Sequence, residues 1–143
     1  MHSKVLSKSI GHGANMANEI IYQTVATTSA PTVSNATPIL LPEMTKTFYL
    51  DKTYPILIMF SASFASGSNS HGAIFDIKID GQNDLEMRRE ALMQNTAYST
   101  VSSQKMVYLC EGTHTVEAWW YTDGTGTATA LGIARSLTII QIV

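Results

Sequence analysis

Apolar and polar residues alternate along most of the chain, and the alternation is densest in the last third. Residues 107–143 divide into three successive runs of this kind, separated first by Glu111-Gly112 and then by the Gly-, Thr- and Ala-rich stretch 123–132. Thr, Val, Trp, Tyr and Ile are abundant in these runs, and such residues fit the half-buried surface of a pleated sheet. The pattern therefore predicts three antiparallel strands at the end of the chain.

Upstream runs with the same two-residue period supply the partners for this sheet. The most hydrophobic run is 54–64, in which Ile56 and Ile58 begin a fully apolar face. The opposite face, which starts with Leu57 and Met59, is apolar for half its length, so this strand is either central or lines an oligomer interface. The remaining predicted strands are 19–28, 46–50 and 73–80, and the first of the three terminal strands extends back to 104, so that it covers 104–110. Loops are predicted at 29–37, 65–72 and 95–103, with a break at Pro42.

Residues 82–94 fit two interpretations. Their Glu, Met, Arg, Ala and Leu residues favour a short helix. The preceding Asp80-Gly81 is a strong hairpin-turn sequence, and a strand paired with 73–80 follows naturally from such a turn. We favour the strand over the helix.

The elements together predict an all-β protein, because about eight strands alternate with short connections and no helix exceeds two or three turns. The expected architecture is an antiparallel β-sandwich, with the jelly roll as the leading topology. Residues 19–143 form a single domain, which suits a chain of 143 residues. Residues 1–18 mix small, polar and basic side chains, and Gly11 and Gly13 break any helix, so an extended N-terminal arm is expected there.

Charge is scarce in this chain. Charged residues make up 14%, against about 25% in an average soluble domain, which suggests that another chain covers part of the surface. The net charge is −2, and the basic residues form no cluster beyond Arg88-Arg89, so binding to nucleic acid is not expected. No apolar run has the length of a signal peptide or of a membrane span, so the sequence predicts synthesis in the cytoplasm without export and no membrane partner.

Neither catalysis nor metal binding has a sequence motif here. His2, His12, His71 and His114 lack the spacing of metal ligands, and no nucleophile elbow or phosphate loop is present. The single Cys110 excludes an intrachain disulfide and is expected to be a small buried side chain. We therefore expect no cofactor, no metal and no enzymatic activity.

Carboxylates at Asp76, Asp80 and Asp84 surround the hairpin turn. An oxygen cluster for calcium is one interpretation. Because Lys78 lies between Asp76 and Asp80 on the same strand face, we favour a solvated strand face followed by a turn.

The sharpest local feature is Trp119-Trp120-Tyr121. Adjacent strand residues point to opposite faces, so Trp120, in phase with Val116 and Ala118, is predicted to lie in the core. Trp119 and Tyr121 then face outward, where aromatic rings stack on sugars, fill a subunit interface or shield the backbone. The candidate interface or glycan-stacking residues are Trp119, Tyr121, Leu57, Met59, Ile140 and Ile142.

Five short motifs follow one another along the chain. They are FSASF at 60–64, DG at 80–81, G-HTV at 112–116 followed by tryptophan, the bend 125–130 and RSLT at 135–138. Over roughly residues 45–143 the chain resembles a jelly-roll domain of tailed-phage virion proteins. The resemblance implies a capsid decoration protein or the tip of a head or tail fibre, commonly trimeric and without catalytic residues. The doubled tryptophan and the charged segment 84–90 depart from that pattern.

The resemblance leads to a specific expectation about function. Because the chain has no long shaft, a decoration or cement protein fits better than a whole fibre. Such a protein would be a homotrimer located in the virion, attached through its arm to the major capsid protein or another virion protein. The alternative is a receptor- or glycan-binding fibre tip that uses Trp119, Tyr121 and the loop 66–72 to bind a host glycan.

Overall fold

The computed structural model describes residues 17–26, 32–33, 36–66, 72–92, 98–124 and 128–143. Within these ranges every regular element is a β-strand. The nine strands are β1 (Glu19–Val25), β2 (Thr32–Val33), β3 (Ile39–Leu50), β4 (Tyr54–Ser66), β5 (Gly72–Ile79), β6 (Gln82–Leu92), β7 (Tyr98–Leu109), β8 (Gly112–Thr122) and β9 (Ala128–Gln141). Residues 1–16 of the predicted arm lie outside the described residues.

The strands form two antiparallel sheets. One has the order β1–β9–β4–β7, with the short β2 paired to an extension of β9, and the other has the order β3–β8–β5–β6. The chain crosses between the sheets through connections as short as residues 51–53 and 110–111. The resulting strand order is that of two interleaved Greek keys, which is the jelly roll. The prediction of an antiparallel jelly-roll sandwich is confirmed.

The core lies between the sheets and follows the predicted alternation. On β4 the side chains of Ile56, Ile58, Phe60, Ala62 and Phe64 are all buried. On β8 the buried set includes Trp120, as predicted, and its ring stacks on Phe75 with the centroids 5.9 Å apart. Burying one large apolar side chain contributes about 1.5–3 kcal/mol to folding, so this layer is the main source of stability.

The β5–β6 hairpin settles the two interpretations of residues 82–94. Asp80 and Gly81 both have positive φ angles, 53° and 80°, as a two-residue type I′ turn requires. This turn leads directly into β6, which pairs with β5 from Gln82 to Leu92. The predicted strand is confirmed and the helix is excluded over 82–92, while residues 93 and 94 lie outside the described residues.

The prediction that Pro42 breaks the chain was wrong. β3 continues through it, and the register against β8 shifts between Leu40 and Thr45. Glu43 has a φ of 65°, so the strand accommodates the proline as a bulge. β3 is an edge strand, where a missing backbone donor is tolerated.

Three predicted loops are also shorter than expected. β7 begins at Tyr98 within the predicted loop 95–103, β9 begins at Ala128 within the predicted bend 123–132, and β2 lies within 29–37. These stretches are rich in Ser, Thr, Gly and Ala, whose local preference for strands is weak or mixed. Pairing with a distant strand, β4 for β7 and β9 and β9 for β2, supplies what local preference lacks. One example is the 2.7 Å hydrogen bond between the hydroxyls of Ser63 and Thr100.

Ionic contacts join the sheets at both open edges of the sandwich. At one edge the fully buried Arg135 of β9 lies 3.9 Å from the carboxylate of Glu43. Desolvation lowers the pKa of Arg135, and the negative charge of Glu43 opposes that effect. At the other edge Lys105 of β7 donates a 2.7 Å hydrogen bond to Asp84 of β6. This hydrogen bond is the main reason that the pKa of Lys105 is raised.

Candidate functional site

The outer face of the β1–β9–β4–β7 sheet carries no charged side chain among the strand residues that the structure describes. We call it the uncharged face. Its outward residues form rows across the strands, because paired residues of neighbouring strands lie side by side. The three complete rows are Ile20–Ile140–Leu57–Met106, Gln23–Thr138–Met59–Gln104 and Val25–Ser136–Ser61–Ser102.

The first of these rows is apolar across all four strands. Ile20 and Met106, at its two ends, are 57% and 51% exposed. Tyr108 extends the apolar surface along β7 and is 74% exposed. Large contiguous apolar patches on protein surfaces are typical of interaction sites, so this row is the candidate for one.

The two rows that follow are mainly polar, because the second contains two amides and one hydroxyl and the third contains three serines. The side chains of Ser61 and Ser136 are joined by a 2.9 Å hydrogen bond. They line a shallow recess of about 480 Å³ in the middle of the face, together with Ser102, Gln104 and Thr138. Both rows are therefore polar without being ionic.

Arg89 approaches the recess from the other sheet. Its Nε donates a 3.0 Å hydrogen bond to the carbonyl oxygen of Ser102, on the edge strand β7. Its Nη1 donates to the carbonyl oxygens of Glu86 and Arg88. Arg89 therefore fastens β6 to the rim of the recess.

The outer face of the β3–β8–β5–β6 sheet has a different character, and we call it the charged face. Trp119 lies there, as predicted, but its surroundings restrict it. The Nζ of Lys78 lies 4.0 Å from the centroid of the Trp119 ring, a close cation–π contact. The indole Nε1 donates a 3.0 Å hydrogen bond to Glu117. One side of the ring is therefore covered by the protein's own lysine.

Tyr121 is engaged in a similar way. Its hydroxyl accepts a 2.8 Å hydrogen bond from Arg88, and a second hydrogen bond joins it to Asp76. Burial and the negative charge of Asp76 raise the pKa of Tyr121. Asp76 itself is only 4% exposed, so the prediction that it lies on a solvated strand face was wrong. Its side chain points outward, but neighbouring side chains cover it.

A clamp built on His114 joins two turns at one end of the sandwich. Nδ1 of His114 lies 2.7 Å from the Asp80 carboxylate, and Nε2 lies 2.7 Å from the carbonyl oxygen of Cys110. Both partners are acceptors, so both bonds form fully only when both ring nitrogens carry a proton. Desolvation lowers the pKa of His114, but the hydrogen bonds to Asp80 and Cys110 outweigh it, and the net pKa is raised.

Cys110 itself is exposed, which contradicts the expectation of a buried side chain. It follows the last residue of β7 and precedes the turn into β8, so the alternation that places inward residues on the strands no longer applies to it. Among the described residues, no group of three His, Cys, Asp or Glu side chains is placed to hold a metal ion. The same part of the chain contains no helix long and apolar enough to cross a membrane.

The six candidate interface or stacking residues fall on two opposite faces. Leu57, Met59 and Ile140 lie together on the uncharged face. Ile142 continues just beyond β9, and its backbone amide donates to the carbonyl oxygen of Pro55. Trp119 and Tyr121 lie on the charged face and take no part in this surface.

Sequence reasoning missed the two ends of the apolar row. Ile20 and Met106 both sit in strands with apolar residues on each face, so alternation alone does not mark either as part of a shared surface. Only the register of β1 against β9 and of β7 against β4 brings them into line with Leu57 and Ile140.

No protein-family model and no curated protein matches the chain. Among solved structures, Eiger TNF from S. frugiperda superposes with a TM-score of 0.54 at 8% identity, over 85% of this chain and 90% of that one. Dimeric latent PorU from Porphyromonas gingivalis has a TM-score of 0.58 at 12% identity, over 87% of this chain and 12% of that one. At such identities the likeness concerns the fold alone, and the chain is a jelly-roll β-sandwich.

Proposed function

We propose that the chain is a non-enzymatic structural protein of a tailed-phage virion, of the capsid decoration or cement type. Its copies associate as a homotrimer through the uncharged face. The observation that carries the proposal is the row Ile20–Ile140–Leu57–Met106, which is apolar across a whole sheet, exposed at both ends and half-buried in the middle. The phage virion and the three-fold symmetry come from the sequence resemblance over residues 45–143.

A second copy of the chain is the partner that this face fits. Charges are costly to bury without a partner, and the outward strand residues of the uncharged face carry none. The guanidinium of Arg89, which reaches the recess from the other sheet, is already hydrogen bonded to backbone carbonyl oxygens. Four strands about 4.8 Å apart and about 10 residues long make a face on the order of 600 Å². That approaches the roughly 800 Å² that each partner contributes to a standard protein interface.

Attachment to the shell is assigned to the arm, residues 1–18. The described part of the arm ends where Asn18 accepts a 3.0 Å hydrogen bond from the backbone amide of Val143, which ties the start of β1 to the end of the chain. A segment that leaves the domain from a fixed point is suited to pairing with another virion protein, such as the major capsid protein. Cross-links from residues 1–18 to a second protein in assembled particles would support this role, whereas cross-links only within the trimer would oppose it.

Self-association through the uncharged face is tested by a matched pair of charge substitutions. Met106→Glu introduces a charge into the apolar row, and Leu85→Glu introduces the same charge at a 74% exposed site on β6, in the other sheet. We expect Met106→Glu to sediment as a monomer with unchanged circular dichroism, and Leu85→Glu to sediment like the unaltered protein. Equal sedimentation of both variants and the parent would contradict the proposed interface.

The alternative, a glycan-binding tip, receives less support from the charged face. A sugar that stacks on Trp119 needs an open ring face, and Lys78 occupies one of them at 4.0 Å. Tyr121 already shares its hydroxyl with Arg88 and Asp76. Glycan-array binding that disappears in Trp119→Ala would favour the alternative over the structural role.

A further inference from the structure

The uncharged face changes in character along its strands. At the end where β7 meets β8 it is apolar, with Tyr108 and the row that contains Leu57 and Met106. Towards the other end it becomes mainly hydroxylic, through Ser61–Ser102 and then Ser63–Thr100, and it closes with Ala65 and the exposed Tyr98. The face therefore has a direction, which a surface of uniform composition would lack.

We propose that the copies associate with their strands parallel, around an axis that runs along the strands, an inference that rests on the proposed function. The residues of one row, which are paired across neighbouring strands, all lie at nearly the same height along such an axis. A rotation about the axis therefore brings every row against the same row of the next copy. Apolar residues then meet apolar residues, and hydroxyls meet hydroxyls, over the full length of the face.

An antiparallel arrangement matches the face less well. A two-fold axis perpendicular to the strands places the apolar end of one copy on the hydroxyl end of the other. If that axis passes through the apolar row itself, the contact is restricted to one end, and the rows of Ser61 and Ser63 project beyond it. Either choice buries less apolar surface against apolar surface than the parallel arrangement.

Parallel association gives the assembly two different ends. Val143 and Asn18 are hydrogen bonded to each other at the apolar end. The turns at 51–53, 80–81 and 110–111 lie at this end as well. In a parallel trimer the first strands of all three chains begin at the same end. The arms, which precede these strands, are therefore attached at that end, and that end of the trimer faces the surface that the arms bind.

Spin labels at two positions on β7 test the orientation. Cys110 is first replaced by Ser, because its exposed thiol would take up the label. Single cysteines are then introduced at Met106, in the apolar row, and at Thr100, six residues away in the hydroxyl part. Six residues of strand span about 20 Å. Distances between labels on different copies are measured by double electron–electron resonance, with mass measured on the same samples.

The parallel arrangement predicts similar distances between copies at both positions. An antiparallel pair centred on the apolar row predicts a distance at Thr100 longer than that at Met106 by up to about 40 Å. This result, together with a dimeric mass, would overturn the inference and the three-fold symmetry while leaving self-association through the uncharged face intact. Monomeric mass in the Thr100→Cys sample, with no dipolar coupling between copies, would instead contradict the proposed function. The less exposed Ser63→Cys on β4 provides a third position that must follow the Thr100 result.

Discussion

The imidazole of His114 and the carboxylate of Asp80 share a 2.7 Å hydrogen bond that joins the β7–β8 region to the β5–β6 turn. Asp80 also accepts a 2.8 Å hydrogen bond from the backbone amide of Thr115, so one carboxylate holds both the ring and the start of β8. The ring's other nitrogen bonds the carbonyl oxygen of Cys110. These contacts make the protonation of one histidine relevant to the stability of two turns.

Stability is therefore expected to depend on pH through His114. Its pKa is raised in the folded state, so its stabilising contribution is complete below the unfolded pKa of 6.5 and is lost as pH rises through the folded pKa. Urea unfolding of the parent and of His114→Gln is compared at about pH 6 and about pH 8. The difference in unfolding free energy between the two proteins should shrink at the higher pH. A difference that grows would contradict the stabilising role of the protonated His114 between Asp80 and Cys110.

The neighbouring tryptophans should differ sharply in their contribution to stability. Trp120 is fully buried and stacked on Phe75, so Trp120→Ala should lower the free energy of unfolding by about 3–5 kcal/mol. Trp119 lies on the charged face, so Trp119→Ala should lower the free energy of unfolding by only about 1 kcal/mol, mainly because the contact with Lys78 is lost. Denaturant titration measures both losses, and similar values for the two variants would be inconsistent with their opposite orientations.

The two partners of the ionic contact between Arg135 of β9 and Glu43 of β3 are expected to differ in how far their replacement lowers the free energy of unfolding. Glu43→Gln removes a negative charge that lies 3.9 Å from the fully buried guanidinium of Arg135 and should lower the free energy of unfolding by about 3 kcal/mol. Arg135→Met leaves the carboxylate of Glu43, which is 28% exposed and accessible to water, so its cost should be smaller. Thermal and urea unfolding of the two variants provide the comparison. A larger loss in Arg135→Met would show that this contact is not the main partner of the guanidinium.

The hairpin turn supplies a test of backbone conformation alone. A Cβ at Gly81 would meet nothing within 4 Å, but the φ of this residue is +80°. Gly81→Ala should therefore lower stability by about 1 kcal/mol through conformational strain rather than a clash. The exposed neighbour Gln82→Ala is the control and should have little effect. Equal stability of both variants would argue against the type I′ turn.

Local pattern predicted the fold well because side-chain direction along a strand depends on neighbouring residues only. The positions of Trp120, Ile56 and Phe60 in the core follow from a two-residue period, and the Asp80-Gly81 turn predicted the course of residues 82–92. Strand ends were predicted poorly where the segments are rich in Ser, Thr and Gly, as at Tyr98. In those segments pairing with a distant strand decides the structure.

The candidate site was predicted only in part for the same reason. Leu57 and Met59 were identified from their apolar phase on one strand, but the surface they belong to depends on the register of four strands. Asp76 points outward as its phase requires, yet Tyr121 and Arg88 cover it from two other strands. Contacts between strands that are distant in sequence are not encoded in the period of any one of them.

Self-association of the intact chain is tested most directly by its mass in solution. Light scattering at micromolar concentration should give about three times the 15.6 kDa of one chain, and the value should hold on moderate dilution. A homogeneous species of 15.6 kDa under the same conditions would contradict the assignment of the uncharged face to contacts between copies.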